Sequence, residues 1–180
     1  MTLTVVASSD GYIAPSPDEP PQAWASAEEQ AMFFADVEAA DWAVMGRGTH
    51  LAADRPERRR IVFSTQIAGW QRPTQLWLDP KETRPADLPS LVGHVAPFRA
   101  GIILGGTRVH DWFRARGAID RVHLTVEPLR FGEGLPIFSD SRGEDPETAI
   151  ARLGLALLSE DRLNAGGTRY LVYGRPDGYS

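Results

Sequence analysis

ADWAVMGRGTH (residues 40–50) and GIILGGTRVHDWF (residues 101–113) decide how this chain folds. In each, a short unbroken apolar run meets glycine, and a helix-forming segment follows. Apolar runs without alternation belong to strands buried on both faces, the mark of a parallel sheet. Glycine at such a junction lets a ligand approach the backbone closely, and the first N–H groups of the following helix point at whatever sits there. In an open α/β sheet, ligands bind outside the carboxyl ends of the strands, where both junctions fall. Neither is a Walker motif or a GxGxxG fingerprint. Either one alone is equally well a tight turn. Together, with Arg47 and Thr49 beside the first and Thr107 and Arg108 beside the second, they point to a phosphate-bearing ligand.

Working outward, Thr2–Ala7 is a β-branched strand that ends in the turn Ser8-Ser9-Asp10-Gly11. Residues 15–23 form a proline-rich loop, of a kind that covers sites in compact chains. Ser26 opens a helix through Ala40, with Glu28 and Glu29 in the first turn, where the helix dipole favours negative charge. Ala27, Ala31, Phe34 and Val37 give it an apolar stripe. Strands are expected at Trp42–Met45, Ile61–Phe63, Leu76–Leu78, Gly101–Leu104 and Arg121–Glu127. A weak helix over residues 86–96 is broken by Pro89 and Gly93, and a firmer one runs from Val109 to Arg116. Leu155–Glu160 and Arg169–Tyr173 read as a hairpin joined through Asn164-Ala165-Gly166-Gly167. The expected fold class is α/β: a central, mainly parallel sheet with a C-terminal antiparallel hairpin, flanked by helices. At 180 residues the expectation is one domain over 1–180.

A hydrophobic fraction of 42% and a charged fraction of 24% are globular values, so disorder is excluded. The net charge of -5 argues against a surface built for nucleic acid. Without cysteine there is no disulfide, thiolate zinc site or Cys nucleophile, and none of the four histidines forms a helical pair, so no metal site is expected. No window of 18 uninterrupted apolar residues exists, which argues against a membrane partner. The opening Met-Thr-Leu-Thr-Val-Val has neither a basic region nor a long apolar one, so the expected location is the cytoplasm.

A third polar strand end is Ser64-Thr65, preceded by Arg58-Arg59-Arg60. Hydroxyl residues there serve as turn formers and an arginine run as a solvated face; as a cluster they suit an anion such as a ribose phosphate. With ADWAVMGRGTH, RRRIVFSTQ (58–66) and the run from GIILGGTRVHDWF to IDRVHLTVEPLRFGEGLPIF (119–138) in this order, the chain resembles the dihydrofolate reductase superfold. More closely it resembles the reductase domain of bifunctional riboflavin-biosynthesis deaminase–reductases, including stand-alone members, from about Thr2 to Tyr173. The resemblance implies NADPH lying across the glycine junctions and a small-molecule substrate. It puts Ala7 and Ile13 beside the nicotinamide, and Gly46, Arg47 and Thr49 at the adenosine side and pyrophosphate. Ser64 and Thr65, with Arg47, fall at the 2′-phosphate; Gly105, Gly106, Thr107 and Arg108 form the second pyrophosphate loop. Ser9-Asp10-Gly11 falls where substrate and nicotinamide meet, which makes Asp10 a catalytic candidate.

The departures matter as much. True dihydrofolate reductases place an acid in the first helix shortly after a Trp. Trp24 and Glu29 have that spacing, but the prolyl-leucine context is missing. Glu29 equally fits a capping box with Ser26 as N-cap. Thr125 matches a family threonine that bonds the acid, and equally a strand threonine of good β-propensity. The deaminase half of the bifunctional enzymes needs P-C-x-x-C, and a chain without cysteine is at most the reductase half. Trp42, Trp77, Trp112 and Phe113 read as core aromatics, His50, His110 and His123 as structural, and Gly132-Glu133-Gly134 as a turn. The expected function is an NADPH-dependent reductase acting on a pteridine, ribosylated pyrimidine or similar heterocycle. A dihydrofolate reductase proper and a non-catalytic nucleotide-binding domain are the alternatives, and pairing into a homodimer is left open.

Overall fold

The computed structural model describes residues 1–176. In chain order the elements are β1 (Thr2–Ser8), β2 (Tyr12–Ala14), α1 (Ala27–Ala39), β3 (Trp42–Gly46), α2 (Arg47–Ala52), β4 (Arg60–Phe63), β5 (Gly69–Arg72), β6 (Gln75–Leu78), α3 (Leu88–Val92), β7 (Gly101–Gly105), α4 (Thr107–Arg114), β8 (Arg121–Glu127), β9 (Leu135–Pro136), α5 (Pro146–Ala151), β10 (Ala156–Arg162) and β11 (Arg169–Gly174). One nine-stranded sheet runs β10-β11-β8-β1-β7-β3-β4-β6-β5, and β2 pairs with β9 in a second, small sheet. From β8 to β6 neighbouring strands are parallel; β5 and the β10–β11 hairpin close the two edges antiparallel. The expected fold class is the observed one.

The two sheet faces differ in chemistry. On one, Leu3, Val5, Ala7, Val44, Ile61, Phe63, Ile103 and Leu124 pack against Leu88 and Val92 of α3, Val109, Trp112 and Phe113 of α4, and Ile150 of α5. This is the main core, and apolar burial there is the principal stabilising term. Its indoles find acceptors: Trp42 Nε1 donates to the Ala96 carbonyl at 3.3 Å and Trp112 Nε1 to the Pro80 carbonyl at 2.8 Å. Under α1 the apolar cluster is small, Ala43, Met45 and Ile102 with Val37 and Leu104 at its margin. Elsewhere that face mixes apolar residues such as Val6 and Val62 with buried polar ones, Thr4, Thr125 and Glu127.

The stripe expected on α1 is corrected accordingly. Ala27, Ala31 and Phe34 are exposed, while Val37 faces the sheet as expected and Glu29, Phe33 and Asp36 turn inward with it. Other differences are local. The segment over 86–96 shrinks to a 3₁₀ turn at Pro85–Asp87 and the five residues of α3, stopping at Gly93. α4 starts at Thr107, because Gly106 in extended backbone serves as its N-cap. α2 follows the first glycine junction as expected, while β2, β5, β9 and α5 are short elements with no sequence periodicity of their own, and none was expected.

One register detail shapes the site. β1 pairs with β7 only at Thr2↔Ile102 and Leu3↔Ile103, although β1 continues to Ser8 and β7 to Gly105. The two central strands therefore part toward their carboxyl ends. No helix among the described residues is long and apolar enough to cross a membrane.

Candidate nucleotide and substrate cleft

Parallel register brings the three polar strand ends together. Met45 lies opposite Gly105 and Gly46 opposite Phe63, so the Gly46, Gly105-Gly106 and Ser64 junctions sit side by side at one edge of the sheet. A Cβ built on Gly46 would stand 3.8 Å from the Gly105 carbonyl oxygen and 4.0 Å from the Gly106 nitrogen. Gly46 and Gly106 are the N-caps of α2 and α4, and neither end carries a side-chain cap. Unsatisfied amides at such an end attract anions. Gly105 is left-handed at φ 105°, and its peptide with Gly106 is cis. A Cβ on Gly106 or on Gly48 would meet nothing within 4 Å. The space over Gly106 is open, and the first amides of α4 face it without a side-chain cap.

Arg47 reaches from the start of α2 to the Gln66 side chain, across the turn after β4. Ser64 Oγ stabilises that turn by accepting from Gln66 N at 3.2 Å and Ile67 N at 3.3 Å. Thr65 is exposed beside it, and Arg108 is exposed on α4. Thr49 is half-buried; Thr107 Oγ1 donates to the Pro136 carbonyl at 2.6 Å, which ties the second loop to β9. Ala7 is fully buried in β1, and Ile13 lies half-buried against the main core.

The turn after β1 is fastened to the segment after β8. Asp10 is buried, with Oδ1 accepting from Ser8 Oγ at 2.7 Å and Phe131 N at 3.2 Å, and Oδ2 from Gly132 N at 2.8 Å. Burial pushes its carboxyl up, but the Ser8, Gly132 and Phe131 hydrogen bonds outweigh it and hold it below the usual carboxylate range. Gly11, at φ +83°, has no room for a Cβ, which would fall 1.9 Å from the Glu144 carbonyl oxygen. Trp24 packs edge-on to Phe131 at 5.0 Å, and its buried Nε1 has no partner.

On the α1 face at the same edge lies a carboxylate-rich layer. Ser26 caps α1 as expected, its Oγ accepting from Glu29 N at 3.3 Å. The reciprocal half of the capping box is corrected: Ser26 N donates to Glu127 Oε1 at 2.7 Å, not to Glu29. Glu127 Oε2 accepts from Thr168 Oγ1 at 2.7 Å. Freed from capping, the Glu29 carboxyl is 4% exposed, and burial, then the charges of Glu127 and Asp36, push it up to about 7. Asp36 Oδ2 is itself shared by Thr4 Oγ1, His123 Nδ1 and the Tyr170 hydroxyl. Thr125 is buried on the same strand face as Glu127, two residues along β8.

No protein-family model matches the sequence, and no curated protein sequence does. Solved structures do. A protein assigned to riboflavin biosynthesis in Shewanella sp. PV-4 superposes with a TM-score of 0.66 at 19% identity, over 97% of this chain and 98% of that one. The Thermotoga maritima diaminohydroxyphosphoribosylaminopyrimidine deaminase/5-amino-6-(5-phosphoribosylamino)uracil reductase also gives 0.66, at 13% identity, with 97% of this chain spanning 56% of its length. This chain has the dihydrofolate-reductase-like fold.

Within this fold the sheet edge gathers Gly46, Arg47, Ser64, Thr65, Gly105 and Gly106 on one side of the β1–β7 opening, and Asp10, Glu29 and Thr125 lie toward the β1–β8 side. Sequence reasoning missed Glu127, Asp36 and Thr168. The signal for Glu127 was present: it alternates with His123 and Thr125 on one face of β8, an acid where a half-buried strand favours apolar residues.

His110 supports the second glycine loop from below. It is 1% exposed, and Nδ1 lies 2.9 Å from the Ile137 carbonyl oxygen, which can only accept; Nδ1 therefore carries the proton and Nε2 is bare. Nε2 has no partner, and a Cβ on Gly105 would stand 3.2 Å from it. Burial pushes the imidazole down to about 4, against the pull of the Ile137 carbonyl. The folded state thus binds fewer protons than the unfolded chain between pH 6.5 and 4. Its contribution is present above pH 6.5 and lost on acidification, on the order of 2–3 kcal/mol. Denaturant unfolding at pH 7.5 and pH 4.5 should show His110→Gln losing less stability in acid than the wild type. An equal loss in both proteins would remove His110 as the acid-sensitive group.

Proposed function

We propose that this chain is an NADPH-dependent reductase of a heterocyclic C=N or C=O group, in a pteridine, a ribosylated pyrimidine or a relative of these. The observation that carries the reading is the side-by-side placement of two glycine N-caps next to the opening between β1 and β7, with Arg47 laid across the Ser64 turn. The reductase named in the Thermotoga neighbour supports it. The amides at Gly46 and Gly105-Gly106 would hold the pyrophosphate, with Thr49, Thr107 and Arg108 beside them. Arg47, Ser64 and Thr65 would take the 2′-phosphate, and Ala7 and Ile13 would bound the nicotinamide. When bound, the dihydronicotinamide supplies the hydride, and the fold supplies orientation.

Glu29 supplies what a hydride acceptor needs next, a proton. A carboxyl held up to about 7 in a low-dielectric layer is a fit donor at neutral pH. Asp10 fixes the turn that walls the cleft, and Thr125 would line the β8 face that also carries Glu127.

Calorimetric titration of NADPH and NADH tests the nucleotide half. NADPH should bind about ten- to a hundred-fold tighter, since a charge-assisted phosphate contact contributes on the order of 1.5–3 kcal/mol. Equal affinities would remove the 2′-phosphate site. Oxidation of NADPH, followed by absorbance against a panel of pteridines and aminopyrimidines, tests turnover. Silence across that panel, with NADPH bound, would favour a non-catalytic nucleotide-binding domain.

A further inference from the structure

The buried layer under α1 contains a group that the proposed chemistry has not yet used. Glu127 ends β8 opposite Ser8, at the carboxyl edge of the sheet, beside the β1 wall of the cleft. Its two oxygens do separate jobs: Oε1 takes the backbone N–H of Ser26, and Oε2 takes the Thr168 hydroxyl that precedes β11. Ser26 in turn caps Glu29 N. A chain of three hydrogen bonds therefore runs from β11 through Glu127 to the first turn of α1, across 101 residues of sequence between Glu127 and Ser26. That chain ties the N-cap of α1 to β8 and to the start of β11. With its N-cap so held, α1 presents Glu29 to the sheet and Phe34 to solvent.

We propose that Glu127 is a positioning residue for Glu29, anchoring the start of α1 so that the Glu29 carboxyl faces the sheet with a second carboxyl set beside it. The inference rests on the reading of Glu29 as the donor of the reductase. The groups that face this layer are Glu127, His123 and Thr125 from β8, Asp36 from α1, Tyr170 from β11, Thr168 just before it, and Thr4 from β1. His123 is engaged with Asp36, and Arg121 at the start of β8 acts on Tyr170; the charges that act on Glu29 are the carboxylates of Glu127 and Asp36. A like charge beside a buried carboxyl favours its protonated form.

Two variants of the full chain separate the parts of this proposal. In Glu127→Gln, the amide oxygen still accepts from Ser26, and the Thr168 hydroxyl turns to accept from the amide nitrogen, so the anchor survives while the charge goes. The Glu29 carboxyl, followed by carbon-detected NMR titration without cofactor or substrate, should then titrate about one pH unit lower than in the wild type. The alkaline limb of turnover should move down with it. Glu127→Asp keeps the charge but is too short to reach both Ser26 and Thr168. Its Glu29 carboxyl should lose burial and titrate lower than in the wild type, and turnover should drop by about ten-fold at every pH through lost positioning. An unmoved Glu29 midpoint in Glu127→Gln overturns the electrostatic role, and wild-type turnover in Glu127→Asp overturns the anchoring role. If Glu127→Gln does not fold, Glu127→Asp still decides the anchor, and an unmoved Glu29 midpoint together with wild-type turnover there overturns the proposal. Because the NMR titration needs no reaction, an enzyme inactive on every substrate tested would fail the reductase reading without touching this result.

Discussion

Gly106→Val should abolish NADPH binding and leave the fold intact. Gly106 is an N-cap at φ −85°, a backbone conformation open to any residue, and a Cβ there meets no protein atom within 4 Å. The apo protein should therefore unfold within a few degrees of the wild type, as exposed substitutions usually cost about 0.5 kcal/mol or less. The added side chain does occupy the space over the α4 amides, so the loss of affinity should exceed about a hundred-fold. Linkage gives the readout: NADPH at a hundred times its dissociation constant contributes about 2.7 kcal/mol, roughly 5–10 °C for a chain of this size. That rise should be present in the wild type and absent in the variant. Gly105→Val is the contrast. There φ is 105° and His110 Nε2 stands 3.2 Å from the new Cβ, so the variant should lose about 1–3 kcal/mol with or without ligand. A Gly106→Val protein that still gains stability from NADPH would show that this loop does not hold the cofactor.

Glu29→Gln should lower turnover by about a hundred-fold or more and, above neutrality, make the protein more stable. The first effect is the usual size for loss of a general acid. The second follows from the carboxyl held up to about 7, against 4.5 in an unperturbed glutamate. Between those values the folded state keeps a proton that the unfolded chain releases. The contribution of Glu29 is therefore fully present below pH 4.5 and lost as pH rises through 7, by roughly 3 kcal/mol. Glutamine stays neutral and escapes that loss. Denaturant midpoints should coincide at about pH 4 and diverge in favour of the variant at pH 8. A carboxyl that served only as a structural acceptor would behave oppositely, and a variant less stable at pH 8 would end the donor reading. The two pH effects act in opposite directions, since His110 favours the fold above pH 6.5 and Glu29 below 4.5. Variants at both positions are needed to see either slope cleanly.

The parallel sheet was legible in the sequence because its determinants are local. Trp42–Met45 and Gly101–Leu104 are continuous apolar runs, and their buried strands extend by a single residue each, to Gly46 and Gly105. The glycine junctions were legible for the same reason: an absent side chain is visible in the sequence itself. Ser26 as N-cap is likewise a first-turn property. What these local signals could not carry was which junctions meet. Gly46 and Gly105 become neighbours only because β7 returns to insert between β1 and β3.

Rotation of α1 is the clearest case. Helical spacing alone ranked Ala27, Ala31, Phe34 and Val37 as the buried stripe, since an apolar face lowers free energy whenever nothing else fixes the helix. Here Glu127 holds its N-cap, through a hydrogen bond to Ser26 and a partner in Thr168. The resulting phase buries Glu29 and Asp36 and exposes Phe34 at 45%. Propensity, patterning and glycine chemistry act over a few residues, so the sequence by itself determined the main strands, the sheet class and the glycine junctions at the strand ends. Long-range hydrogen bonds and the charges they bury act between residues a hundred positions apart. The parting of β1 and β7, the burial of Glu29 and the contact of Glu127 with Ser26 and Thr168 were therefore decided only by the tertiary structure.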